Sequence, residues 1–259
     1  MTAREAIAGA ERRLASAGVD SPRVDAELLV AHVLGLSRTR LYADLDREVD
    51  GLEPLLARRE RREPLAYVLG EWGFRRLTLK TDARALVPRP ETEVVVERAL
   101  ALLDGTTSPR VLDVGVGSGA IALALKDERP DARVTGVDES DEALALAREN
   151  ADRLGLDVEL RHGGLETAGS GWDLVVSNPP YVDTLEGLQP ELRYEPEVAL
   201  VGTGLHERLA EGARTRALVL EVGEGQAGGV ARSLAELGYR DVRVTPDLAG
   251  IDRVVEGVR

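Results

Sequence analysis

The chain has 259 residues, a net charge of −13 and no cysteine, which excludes disulfides, thiolate nucleophiles and thiolate zinc sites. Its length exceeds one average domain and fits two unequal ones, with ample chain to bury a core. No apolar run reaches the ~18 residues of a membrane span, and Met1-Thr2-Ala3-Arg4-Glu5 lacks the apolar core of a signal peptide, so a soluble cytoplasmic protein is expected.

From the N-terminus, Ala3 to Ala17, Ser21 to Leu34 and Leu52 to Arg62 carry apolar residues at helical spacing. Ser21-Pro22 offers an N-cap and first-turn pair, and Gly18 and Gly35 close helices. These segments predict a small helical bundle over residues 1–73. Residues 1–75 contain 12 Arg and 13 Asp or Glu, so the remainder carries −12 of the net charge. Such acidity argues against stable nucleic-acid binding, which needs clustered Lys and Arg. The one basic cluster, Arg58, Arg59, Arg61 and Arg62, reads as a solvated helix face.

Over residues 74–90, Leu77-Thr78-Leu79 and Ala85-Leu86-Val87 read as a short hairpin leading into a second domain, 91–259. There helices alternate with apolar strands at 111–114, 133–137, 158–161, 173–177 and 217–222, followed by a closing pair at 240–245 and 252–257. Alternation of this kind predicts an α/β fold with a mainly parallel, seven-stranded sheet and helices on both faces.

The first of these strands, Val111-Leu112-Asp113-Val114, runs into Gly115-Val116-Gly117-Ser118-Gly119 and a helix. Glycines permit a tight turn and close approach of a ligand, while the helix N-terminus presents free N–H groups. The second strand ends in Asp138, 23 residues after Gly115, where a carboxylate suits a ribose diol. Gly115-x-Gly117-x-x-Ala120 also satisfies the loose dinucleotide-binding pattern, so the glycine run alone leaves a hydride-transfer enzyme open.

The fourth strand ends in Asn178-Pro179-Pro180-Tyr181. Two prolines fix φ and donate no N–H, which leaves a stiff rim of carbonyl acceptors. The Asn178 side-chain oxygen adds another acceptor and the Tyr181 ring a flat cover, so the loop can take both hydrogens of a planar NH2 group. The plain alternative is a turn that ends a strand. Only two asparagines occur in the chain, Asn150 and Asn178, and a sequence so poor in Asn would more naturally build a plain turn from Gly or Asp. His32, His162 and His206 show no metal-ligand spacing and read as helix-surface or loop residues.

Together, the glycine turn, Asp138 and Asn-Pro-Pro-Tyr resemble an S-adenosylmethionine-dependent amino methyltransferase of Rossmann-like class I fold. Pro88-Arg89-Pro90-Glu91-Thr92-Glu93, Glu63-Pro64-Leu65-Ala66-Tyr67, Tyr194-Glu195-Pro196 and Asp247-Leu248-Ala249-Gly250-Ile251-Asp252-Arg253-Val254-Val255 narrow this. They resemble the bacterial release-factor glutamine methyltransferases, the PrmC/HemK family, over essentially the whole chain.

The resemblance implies S-adenosylmethionine as cofactor and class I peptide chain release factors as partners. The implied acceptor is the side-chain nitrogen of the glutamine in their Gly-Gly-Gln motif, and the implied state a monomer with an N-terminal substrate-recognition domain. It further implies cofactor contacts at Gly115, Val116, Gly117, Ser118, Gly119, Asp138, Leu165 and Asn178. Catalysis and substrate binding fall to Asn178, Pro179, Pro180 and Tyr181, with no metal.

Two departures stand out. Where the family has a Gly-Asp pair after the third strand, this chain has Gly163-Gly164-Leu165, so the carboxylate expected near the adenine amino group is missing at Gly164. The passage from Leu200 to Ala217 is short, leaving a helix of about three turns. Two other readings remain at this point: an adenine N6-methyltransferase acting on DNA or RNA, and a non-catalytic release-factor-binding adaptor.

Overall fold

The computed structural model describes residues 1–169 and 171–259, and the chain divides into two compact units. Unit 1 comprises Met1–Glu71 and Leu188–Tyr194; unit 2 comprises Trp72–Gly187 and Glu195–Arg259.

Unit 1 contains five helices: α1 (Ala3–Ser16), α2 (Pro22–Leu34), α3 (Arg38–Leu41), α4 (Glu53–Glu60) and α5 (Leu65–Leu69). The cap of α1 is a reciprocal box: Thr2 Oγ1 accepts from the Glu5 N–H and Glu5 Oε2 accepts from the Thr2 N–H. Ser21 does precede α2, but its side chain makes no cap bond, and Pro22 with the left-handed Gly35 sets the limits of that helix. The arginine cluster departs from a solvated face. Arg59 is 6% exposed, with Nε on Asp25 at 2.7 Å and Nη1 on Glu191 at 2.8 Å. Arg62 grips both oxygens of Glu191, and Arg58 is paired with Glu63. These cations hold together unit 1 and its late segment, Leu188–Tyr194.

Unit 2 begins within β1 (Glu71–Phe74), which pairs with β2 (Leu77–Lys80) in a two-stranded sheet turning through Arg75-Arg76. The strand partner of Leu77–Lys80 is therefore Glu71–Phe74 rather than Ala85–Val87. The Val87 N–H is taken instead by Glu195 Oε2 at 3.1 Å.

The main sheet contains β3 (Arg110–Val114), β4 (Arg133–Asp138), β5 (Glu159–His162), β6 (Trp172–Ser177), β7 (Thr215–Glu221), β8 (Arg240–Pro246) and β9 (Asp252–Val258) in the order β5-β4-β3-β6-β7-β9-β8. β3 to β7 pair in parallel, and β9 runs antiparallel between β7 and β8. Its helices are α6 (Thr92–Leu102), α7 (Ala120–Glu128), α8 (Asp141–Leu154), α9 (Leu205–Gly212) and α10 (Ala227–Glu236). α9 has eight residues, shorter than the three turns expected, and Gly204 in the left-handed region starts it.

Alternation along the strands builds two cores. Val111, Val134, Leu174, Val176 and Val219 pack with α6, α7 and α8. Leu112, Val114, Val175, Leu218 and Leu220 pack with α9 and α10 on the other face. With both faces covered, the loops that follow the parallel strands leave from their carboxyl ends, where ligands bind in such sheets.

Candidate functional site

Three loops leave neighbouring strand ends in register. Val114 pairs with Val137 of β4 and with Ser177 of β6, so Gly115, Asp138 and Asn178 each follow a matched position. Ser177 Oγ donates to the Val114 carbonyl at 2.6 Å in the buried sheet, tying the two strand ends together. The sequence-predicted residues thus converge on one edge of the sheet.

The glycine loop needs its glycines for two different reasons. Gly115 and Gly117 have φ of 75° and 55°, and a Cβ at 115 would meet nothing within 4 Å, so the backbone there faces open space. At Gly119, φ 89°, a Cβ would come within 2.8 Å of Leu123 Cδ1, so this glycine serves the packing of α7. The N–H groups of Gly115 and Val116 both donate to the Val137 carbonyl. Val116 and Ser118 are buried, and the Ser118 carbonyl accepts from Asn150 Nδ2 at 2.9 Å.

Asp138 is half-buried; its Oδ2 accepts from the Gly117 N–H and its Oδ1 from the Ser140 N–H, each at 2.9 Å. It therefore links the glycine loop to the cap of α8. Asp113, 1% exposed beneath the loop, accepts from the Ala122 N–H through Oδ2, while its Oδ1 is buried without a partner. Burial, reinforced by the charge of Asp138, pushes the Asp113 carboxyl up to about 7.

Leu165 opens a short 3-10 turn after β5 and packs, half-buried, on the α9–α10 side of the core. Gly164 is buried, and its N–H donates to Glu166 Oε1 at 2.8 Å. The space a Cβ at 164 would need is taken by the carboxylates of Glu139 and Glu166. Position 164 lacks an acid, yet two carboxylates crowd the same spot.

In the Asn178-Pro179-Pro180-Tyr181 loop, Asn178 Nδ2 donates to Thr92 Oγ1 at 3.3 Å. Among the described residues nothing donates to Asn178 Oδ1 or to the carbonyl of Pro179, itself a buried residue, so two acceptors on this rigid loop have no hydrogen-bond partner. Pro180 lies against Gly202, where a Cβ would fall 2.9 Å from its carbonyl oxygen. The Tyr181 hydroxyl reaches Glu221 Oε1 at 3.5 Å and its carbonyl accepts from Gln226 Nε2 at 3.0 Å. Burial, then the charge of Glu221, raises this phenol to about 12, so it stays a neutral donor.

Several residues around this loop carry only a weak sequence signal of their role. Glu221 closes β7 at 1% exposure with Oε2 unpartnered, and burial raises its carboxyl to about 7. His206 is 5% exposed rather than on a surface, and its Nε2 meets the Glu221 carbonyl at 2.8 Å. A carbonyl only accepts, so the proton sits on Nε2. Glu195 receives Arg89 Nη2 at 2.6 Å and the Val87 N–H, which explains why Pro88-Arg89-Pro90 and Tyr194-Glu195-Pro196 occur together. Glu93 accepts from the Arg75 N–H at 2.8 Å. The visible signal for Glu221 is an acid ending the apolar run Ala217 to Val222.

Among the described residues, no group of three or more His, Cys, Asp and Glu could hold a metal, and no helix is long and apolar enough to cross a membrane. Residues 5–70 match the family described as PrmC N-terminal domain, and residues 94–191 the methyltransferase small domain. Among solved structures, the hMettl16 catalytic domain in complex with MAT2A 3′UTR hairpin 6 superposes with a TM-score of 0.59 at 14% identity, over 79% of this chain and 81% of that one, a likeness of fold.

Curated relatives are nearer. The release factor glutamine methyltransferase of Deinococcus radiodurans is 44% identical over 282 residues, spanning 100% of this chain and 99% of the relative. That of Geobacter sulfurreducens is 42% identical over 275 residues, spanning 99% and 96%. Identity at this level, end to end and over both matched domains, shows that the chain belongs to the release factor glutamine methyltransferase family.

Proposed function

We propose that this protein transfers a methyl group from S-adenosylmethionine to the side-chain amide nitrogen of the glutamine in the Gly-Gly-Gln motif of class I peptide chain release factors. It does so as a monomer, in the cytoplasm, where those factors act. The observation that carries the reading is the pair of acceptors left without a hydrogen-bond partner among the described residues, Asn178 Oδ1 and the Pro179 carbonyl, on a loop stiffened by two prolines. A glutamine carboxamide has two N–H donors to give them.

The residues at the sheet edge fit the cofactor. Gly115 and Gly117 let its methionine end approach the backbone, Asp113 Oδ1 is a buried acceptor awaiting a cationic donor, and Asp138 has lone pairs left for ribose hydroxyls. Glu166 and Glu139 supply the negative charge near Gly164 that an adenine amino group would find, with Leu165 alongside. When bound, S-adenosylmethionine supplies an electrophilic methyl carbon on a sulfonium sulfur.

The protein's task follows from the acceptor's chemistry. An amide lone pair is delocalised into its carbonyl, the resonance that also flattens peptide bonds, so the nitrogen is a poor nucleophile. Anchoring both of its hydrogens on Asn178 and Pro179 fixes the plane of the group and turns the face of the nitrogen toward the carbon. Orientation of this kind is worth roughly 7–11 kcal/mol of barrier. Tyr181, half-buried behind the loop, helps keep water away. The nitrogen becomes acidic only as its new bond to carbon forms, so one proton leaves to solvent without a dedicated base.

Incubation with labelled S-adenosylmethionine and a release factor, intact or with the motif glutamine replaced, tests the assignment. Label is expected on the intact factor alone. Label on both, or on neither, overturns it, and robust labelling of DNA or RNA would favour an adenine N6-methyltransferase instead.

A further inference from the structure

Single apolar side chains scattered over a surface are ordinary, so their number says little; their placement says more. Among the described residues of unit 2, the large hydrophobic side chains that stand exposed are Val198 and Leu248, at 74% and 106%. Both lie on turns that adjoin the Asn178–Tyr181 loop.

Leu248 is carried by the turn between β8 and β9. Because β9 runs antiparallel to β7 with Val254 opposite Glu221, and the Val222 N–H donates to the Arg253 carbonyl, this turn sits beyond the carboxyl end of β7. Tyr181 reaches the same strand end, its hydroxyl 3.5 Å from Glu221 Oε1. Within the turn, Asp247 Oδ1 accepts from the N–H groups of Ala249 and Ile251 at 2.9 and 3.0 Å, and Oδ2 receives Arg253 Nε at 3.0 Å. The Asp247 N–H donates to the Ile251 carbonyl at 2.8 Å, and Gly250 takes φ 81°. These bonds close within the turn and account for Asp247, Gly250 and Arg253 of the motif, while Leu248 between them projects into solvent.

Val198 reaches the loop by a different route. Val182, directly after Tyr181, donates its N–H to the Leu200 carbonyl at 3.0 Å and accepts from the Gly202 N–H at 3.1 Å. The 3-10 turn Glu197–Ala199 comes immediately before that bridge. At its other end, buried Glu195 binds Arg89 and the Val87 N–H, so Val198 stands on a turn tied down on both sides.

We propose that Val198 and Leu248 form an apolar docking rim for the release factor, touching it outside the Gly-Gly-Gln motif. The proposal rests on the methylation reading above and adds to it a surface that holds the rest of the substrate protein. Two glycines offer no side chains to recognise, and a factor whose glutamine enters beside Asn178 must lay its neighbouring surface over the adjoining turns. Covering an exposed aliphatic group recovers its transfer free energy, and because both turns are fixed beforehand little ordering entropy is lost. Exposed carboxylates stand close by in sequence, Glu197 next to Val198 and Asp252 at the end of the Leu248 turn. The matching patch on the factor is therefore aliphatic with cationic groups around it.

The test uses the full chain with an intact release factor and with a short Gly-Gly-Gln peptide. Leu248→Ser and Val198→Ser should each lower kcat/KM on the intact factor by about fivefold or more, through KM, with kcat and S-adenosylmethionine Kd within about twofold of wild type. Together they should cost about twentyfold or more, and Leu248→Met should stay within about twofold of wild type. On the peptide, too short to cover the rim, the double variant should match wild-type kcat/KM within about twofold. Unchanged melting of both variants, expected for exposed side chains, separates lost docking from lost folding. The proposal is overturned if the double variant keeps the wild-type KM for the intact factor, or if it loses as much on the peptide, which would place the damage at the acceptor site. It is also overturned if the wild type sediments as a dimer that Leu248→Ser dissociates, which would assign the rim to a second copy of the chain. Failure of the wild type to label the glutamine would be a different result, striking the methylation reading itself.

Discussion

Glu221 is a carboxylate at a place where burial opposes its charge, and that leaves a mark on stability. The folded state keeps a proton on it up to about 7, whereas the unfolded chain releases that proton at the ordinary value of 4.5. Between those values the native state binds more protons than the unfolded one, so this group makes stability fall as pH rises, and the loss is complete above 7. Glu221→Gln removes the buried charge and should gain up to about 3 kcal/mol over wild type at pH 8, with the difference gone by pH 4. Denaturant melts at the two pH values check this. Asn178 stands out in the sequence because asparagine is scarce and two prolines follow it. Thr92 was quoted as part of a motif, but its bond to Asn178 spans 86 residues, and no local pattern encodes such a partner.

At the scale of elements, the other asparagine does comparable structural work. Asn150, on α8 and 0% exposed, accepts from the Lys80 N–H at 2.6 Å and donates to the carbonyls of Lys80 and Ser118. It thus joins β2, α8 and the glycine loop. Asn150→Ala leaves those backbone groups buried and unpaired, and should lower stability by about 1–3 kcal/mol while weakening S-adenosylmethionine binding, seen by thermal melts and calorimetry. The central strands β3, β4, β6 and β7 were readable because each is a short, largely apolar run between helical segments, whereas the edge strands β5 and β8 carry more polar residues. The hairpin was misassigned because its turn, Arg75-Arg76, offers no Gly or Asn, although Arg75 takes φ 50°. The Ser21 cap also failed, because a residue type suited to capping does not ensure that its side chain turns to the backbone.

For the whole molecule, charge and division into units are the informative properties. Nearly all of the −13 lies beyond residue 75, which suits a protein partner better than a polyanion. Fold class and family were legible because the motifs run the length of the chain, but the membership of Leu188–Tyr194 in unit 1 was not, since it depends on Arg59 and Arg62 reaching Glu191. If unit 1 contributes recognition, a short Gly-Gly-Gln peptide should be methylated with kcat/KM at least about tenfold below that of the intact factor. Equal values would assign recognition wholly to unit 2.

The central claim is that Asn178 aligns the acceptor nitrogen and does little to hold the cofactor. Measured on one preparation of Asn178→Ala, S-adenosylmethionine affinity by calorimetry should stay within a few-fold of wild type, while the single-turnover methylation rate falls by about 100-fold or more. A large loss of cofactor affinity with an unchanged rate at saturation would contradict the account.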